Sequence, residues 1–188
     1  MTRLRTPFGN PARARISTIA QEQPGTGAVP NPRMRLGIVT YNIAKDWSIE
    51  EIIKHCEETG FEGVELRTSH AHGVEVSLNA AQRTDVKKRF QNTKVALMGL
   101  GSAFEYQTVD AAKLRQDIEA TKQYILLAQD VGAPGVKVRP NGLPKEVPVD
   151  KTLAQIGRSL REIGQFGQEH GHLVCEPSVT RSPRLHRR

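Results

Sequence analysis

Two stretches far apart in the chain share one design: TGFEGVELR (59–67) and VGAPGVKVR (131–139). Each sets a glycine, Gly60 or Gly132, where a helix needs a left-handed residue to stop. A second glycine then opens a run in which apolar and charged residues alternate, the two-residue period of a strand with unlike faces. HGHLVCEPS (170–178) repeats the pattern more weakly, with Gly171 in the first position. A recurring helix–glycine–strand junction restricts the chain to a parallel sheet whose strands are joined by right-handed crossover helices.

The segments between junctions agree. LGIVTYNI (36–43) predicts a first strand. Ser48 and Glu51 form a capping box, after which Ile49, Ile52, Ile53 and Cys56 recur at helical spacing as far as Gly60. A second strand is expected over 62–67, a helix from about Asn79 to Gln91, and a third strand over 94–101. Asp110 is expected to cap a long helix with Leu114, Ile118, Thr121, Ile125 and Ala128 on one face. The fourth strand covers 135–139. Asp150 would cap a last helix striped by Leu153, Ile156, Leu160 and Ile163, and a fifth strand follows at 173–176. No GxGxxG or GxxxxGK follows any strand, so nucleotide-binding α/β folds lack their phosphate cradle. The expected fold is α/β: an incomplete (β/α) barrel of about five parallel strands and four crossover helices.

Charge separates body from ends. The 188 residues carry +7, but residues 1–35 hold six arginines against Glu22 and residues 177–188 hold four more, which leaves 36–176 at −2. A nucleic-acid domain needs its basic stripe on the folded body, so no nucleic-acid partner is expected. Residues 1–33, rich in Pro, Gly and Arg with no apolar core of a signal peptide, read as a disordered leader, and 34–176 as the partial barrel. No run of about 18 apolar residues occurs, so no membrane helix is expected. Cys56 and Cys175 make no disulfide framework, which suits a cytoplasmic protein.

Alternation decides which residues meet a ligand. Val64, Leu66, Val136 and Val138 must face the helices, so Glu65, Arg67, Lys137 and Arg139 point into the barrel. Glu176 takes the equivalent place on the fifth strand. Charged groups there must be paired or solvated, and two uses are open: a structural Glu65–Lys137 ion pair, or an active site. His70 and His72 follow the second strand, on the face where such barrels keep their sites; an exposed loop pair is the other reading. Glu105 and Tyr106, after the third strand, could reach the same mouth. The loop RPNGLPKEVP (139–148), with Asn141, would shape its rim.

The strand ending VELR, the histidine loop behind it, APGVKVRPNG after a long helix, and a glutamate closing the fifth strand together resemble the sugar phosphate isomerase/epimerase group. These are xylose isomerase-like TIM barrels, related to endonuclease-IV-type enzymes. The resemblance covers roughly 34–176. It implies a divalent metal (Mn, Mg or Zn) in the barrel mouth, polarising a sugar carbonyl while a carboxylate moves a proton. It assigns Glu176, followed by Pro177, as metal ligand and catalytic residue with Lys137. Glu65, Arg67, His70, His72, Arg139 and Asn141 would bind a sugar or sugar phosphate.

A complete barrel of this kind needs about 250 residues. PSVTRSPRLHRR (177–188) carries no helix pattern and reads as a basic tail, disordered or out of frame. The expectation is therefore a truncated, metal-dependent sugar isomerase/epimerase-like chain, weak or inactive unless a partner supplies the remainder. An endonuclease-IV-like phosphodiesterase with His70 or His72 as metal ligand, and a non-catalytic half-barrel that forms a homodimer, are the alternatives.

Overall fold

Glycine and capping residues cut the chain into alternating elements, and the structure follows them closely. The computed structural model describes residues 35–140, 142–171 and the backbone of 173–175. Along these run β1 (Gly37–Val39), α1 (Ile49–Thr59), β2 (Gly63–Arg67), α2 (Ala80–Gln91), β3 (Ala96–Gly101), α3 (Ala111–Val131), β4 (Gly135–Lys137), α4 (Val149–Glu169) and β5 (Leu173–Cys175). The strands form one parallel sheet in the order β1-β2-β3-β4-β5. This is the α/β, partial-barrel arrangement that the junctions imply.

Local chemistry sets the boundaries. Ser48 and Glu51 make the reciprocal capping box of α1, and Asn79 with Gln82 makes another at α2. The Asp110 side chain accepts from the amides of Ala112 and Lys113 at the start of α3. Gly60, Gly132 and Gly171 have φ of 80°, 80° and 69°, so the repeated glycine does end each helix in a left-handed residue. Val64, Leu66, Val136 and Val138 are buried in one core with Ile52, Val86, Phe90, Ile118, Ile125 and Ile163 from the helices. Each large apolar side chain sealed there contributes about 1.5–3 kcal/mol.

Four details differ from expectation. The first strand stops at Val39, not Ile43, because the Thr40 hydroxyl takes the Arg67 amide (3.0 Å) that a strand carbonyl would otherwise accept. The fourth strand stops at Lys137, whose carbonyl is taken by the Ser102 amide and hydroxyl (2.9 and 2.8 Å). Pro148, not Asp150, occupies the N-cap of α4: its carbonyl accepts from Lys151 and Thr152, and Asp150 falls in the first turn. The buried residues of α4 include Thr152, Ser159 and Ile163, with Ile156 and Leu160 half-buried against the core, while Leu153 is exposed. A β-bulge also interrupts β3, where the register moves from Val64–Leu97 to Glu65–Gly99. It turns the Met98 side chain across Gly37 and Gly63, which leave it room.

Candidate functional site

Residues alternate to the two faces of the sheet, and those not in the core gather at the carboxyl ends of the strands. Val39, Tyr41, Arg67, Lys137 and Arg139 line a cavity of about 330 Å³ there. Lys137 Nζ donates to Glu65 Oε1 in a pair whose side chains are only 22% and 17% exposed. The two belong to β4 and β2, with β3 between them. Glu65 lies beside Gly99, and Gly101 beside Lys137. A Cβ on Gly101 would sit 2.5 Å from Glu65 Oε1, so the pair passes over β3 where that position leaves it room.

Arg67 is held from both ends. Its guanidinium lies 4.2 Å from the centre of the Tyr41 ring, a cation–π contact. Its amide donates to Thr40, which is fully buried, and the Thr40 hydroxyl is 2.9 Å from His70 Nδ1. That hydroxyl thus joins the Arg67 amide and the His70 ring in one short chain of hydrogen bonds. Burial pushes the His70 imidazole below its ordinary range, and the Arg67 charge acts in the same direction. His70 thus stands behind Arg67 as a neutral ring.

His72 does something else. Its Nε2–H donates to the Arg67 carbonyl (2.8 Å) and its Nδ1 accepts from the Val74 amide (3.0 Å). Both nitrogens are spent on backbone, and burial holds the ring neutral. Expected at the site or as a metal ligand, it is a splint for its own loop. The loop has a second fastening. Glu75 accepts from Tyr124 Oη, from Thr68 Oγ1 (3.2 Å) and from the amide of Ser69 (2.6 Å), a residue held at φ 65°. Burial pushes the Tyr124 hydroxyl well above its ordinary range.

Of the remaining expectations, Tyr106 turns away from the mouth: it is fully buried, with its hydroxyl 2.8 Å from Thr121. Glu105 accepts from Gln107 (2.6 Å). Asn141 and Glu176 lie outside the described residues. A larger groove of about 470 Å³ runs between α1 and α2, and its charged side chains are engaged with one another, Arg89 pairing with both Glu50 and Asp85. Sequence reasoning missed Thr40, Tyr41 and Gly101. Only the GLG spacing of 99–101 could have signalled the last, as an inward face kept bare.

A divalent cation does not fit the described donors. Among the described residues no three His, Cys, Asp or Glu side chains come together as a metal site. Among the described residues, the carboxylate at this mouth is paired with Lys137, with two guanidiniums on the same cavity wall. Such a set attracts oxygen-rich, electron-rich ligands and repels a cation. Among the described residues no helix is long and apolar enough to cross a membrane.

A family model described as xylose isomerase-like TIM barrel matches residues 53–179, more than half of the 188. The chain belongs to the xylose isomerase-like TIM barrel family. Solved structures similar to this barrel include the IOLI protein with a binding zinc atom, at 14% identity and TM-score 0.65, covering 76% of this chain and 51% of that one. The 3-keto-D-glucoside 4-epimerase YcjR from E. coli matches at 16% and 0.61, covering 76% and 55%. A D-psicose 3-epimerase studied with D-fructose matches at 18% and 0.61, covering 76% and 52%. At these identities the likeness shows the fold, and the chain spans about half the length of the structures it matches. No curated protein sequence matches the chain.

Proposed function

We propose that this barrel face binds a sugar or sugar phosphate and serves isomerase/epimerase chemistry, in which a proton moves at a carbon next to a carbonyl. The observation that carries the reading is the Glu65–Lys137 pair beside a cavity walled by Arg67, Arg139 and Tyr41. Its volume of about 330 Å³ lies at the lower end of the range for small-molecule sites, about 300–1,000 Å³. The neighbours whose printed names are those of sugar epimerases support the substrate class.

Each side chain has a role in this reading. Arg67, fixed by Tyr41 and Thr40, and Arg139 donate to hydroxyl or phosphate oxygens. Lys137 meets the substrate's carbonyl group, where charge develops as the neighbouring C–H is lost. Glu65, in contact with Lys137, is the described carboxylate placed to shuttle a proton. His70 holds Arg67 in place through Thr40, and Asn141 contributes from the rim. A metal enters only through Glu176; the described residues do not hold one, and no step is assigned to it. Turnover by this chain is expected to be weak.

Solvent-deuterium exchange into D-fructose, followed by proton NMR with and without Mn²⁺ or Mg²⁺, tests the reading. Exchange should fall about 100-fold or more in Lys137→Met, and Glu176→Gln reports any contribution from that carboxylate. Absence of both saturable ketose binding and exchange in the wild-type chain would overturn it.

A further inference from the structure

We propose that Lys137 acts as an amine nucleophile, forming a Schiff base with the open-chain carbonyl of a ketose, and that Glu65 takes its proton. This rests on the sugar-binding reading above and gives that site a covalent chemistry. The residues around the cavity narrow the choice. Of the three cations that line it among the described residues, Arg67 and Arg139 keep their protons and offer no lone pair. Lys137 is the one amine among them. Amines become nucleophiles when an adjacent base removes the proton, and Glu65 Oε1 accepts directly from Nζ.

The pair is also held for use. The Lys137 carbonyl is fixed by two hydrogen bonds from Ser102 (2.9 and 2.8 Å), which anchors the backbone from which the side chain springs. With exposures of 22% and 17%, water reaches both groups only in part. A salt bridge kept only for stability needs no cavity beside it and no bare strand beneath it. Here Gly101 clears the path between the two residues, and Lys137 itself forms part of the cavity wall.

The step balances within the site and the substrate. Glu65 takes a proton from the ammonium, and the freed nitrogen pair attacks the carbonyl carbon as the C=O electrons move to oxygen. The carboxylic acid returns its proton to that oxygen. The carbinolamine then loses its hydroxyl with a second proton as one water, leaving a protonated imine. Its positive nitrogen draws electrons from the adjacent C–H bond, and the proton lost there can return at the other carbon or from the other face. One water hydrolyses the imine and restores lysine, so no oxidant or reductant is consumed.

Reductive trapping tests this. The whole chain is incubated with D-fructose or dihydroxyacetone and cyanoborohydride, and peptides are mapped by mass. The proposal expects an adduct of the sugar less one oxygen at Lys137, saturating with ketose and about tenfold above the other lysines. It expects no such adduct in Lys137→Arg, which keeps a cation opposite Glu65, and slower trapping in Glu65→Gln. Ketose binding is read on the same samples by saturation-transfer NMR. Saturable binding with labelling spread evenly over lysines, unchanged in Lys137→Arg, overturns the Schiff base and leaves the sugar site standing. No binding of either ketose overturns the sugar-binding reading, and the inference with it.

Discussion

Lys137 and Glu65 pair across a strand to which neither belongs, over the bare backbone of Gly101. Strands lie about 4.8 Å apart, so residues on β2 and β4 meet only if the side chains reach inward over β3 and nothing on β3 stands between. The pair thus uses space left by a residue that contributes no atoms to it.

Gly101→Ala is expected to break that arrangement. The new methyl would lie 2.5 Å from Glu65 Oε1, and the residue's φ lies outside the positive range, so any cost is one of crowding. A loss of about 1–3 kcal/mol in urea unfolding is expected, together with weakened ketose binding. Wild-type stability and binding would show that the carboxylate moves aside freely.

Tyr124→Phe removes a hydroxyl that donates to Glu75 and lies 2.5 Å from Thr68. Glu75 would then hold Ser69 in its left-handed conformation with one partner fewer. A destabilisation of about 1–3 kcal/mol is expected, with faster hydrogen exchange at the Ser69 amide. Unchanged exchange there would mean that the Thr68 and Ser69 contacts suffice.

The two loop histidines make stability depend on pH. Both are held below the ordinary value of 6.5 in the folded chain, chiefly by burial. The unfolded chain therefore binds more protons just below that value, and stability rises with pH there. The contribution is complete above about pH 6.5 and is lost as pH falls toward the folded values. Urea midpoints measured from pH 7.5 to 5.5 should decline, and less steeply in His72→Gln.

Glu162 is a contrasting case. Hydrogen bonds from Arg115 and Lys122 bring its carboxyl down to about 2, so its stabilisation is present in full above pH 4.5 and fades as pH falls from there toward about 2. With its side chain 38% exposed, solvent screens the network. Glu162→Gln should cost less than about 1 kcal/mol, vanishing at high salt. A larger, salt-insensitive loss would mark a structural role.

Much of the fold was legible because its signals are local. Gly60, Gly132 and Gly171 mark helix ends, Ser48 and Asp110 mark starts, and two-residue alternation in 63–67 separates core from cavity. The Glu65–Lys137 pair could be read because both residues sit at equivalent places in a repeated junction. What escaped depends on contacts between segments. Tyr106 is buried in the core, where its hydroxyl finds a partner in Thr121 on α3. His72 turned out to bind backbone because the chain folds back between Arg67 and Val74. Thr40 ends β1 through an amide 27 residues away, which no local pattern announces.

The most direct test of the inward, sugar-facing assignment is amide NMR mapping during titration with D-fructose. Perturbations are expected at 39–41, 65–67, 101–102 and 137–139, around the cavity, and should disappear in Lys137→Met. Shifts confined to 71–73 and 81–89, in the groove between α1 and α2, or shifts that persist in Lys137→Met, would contradict the account.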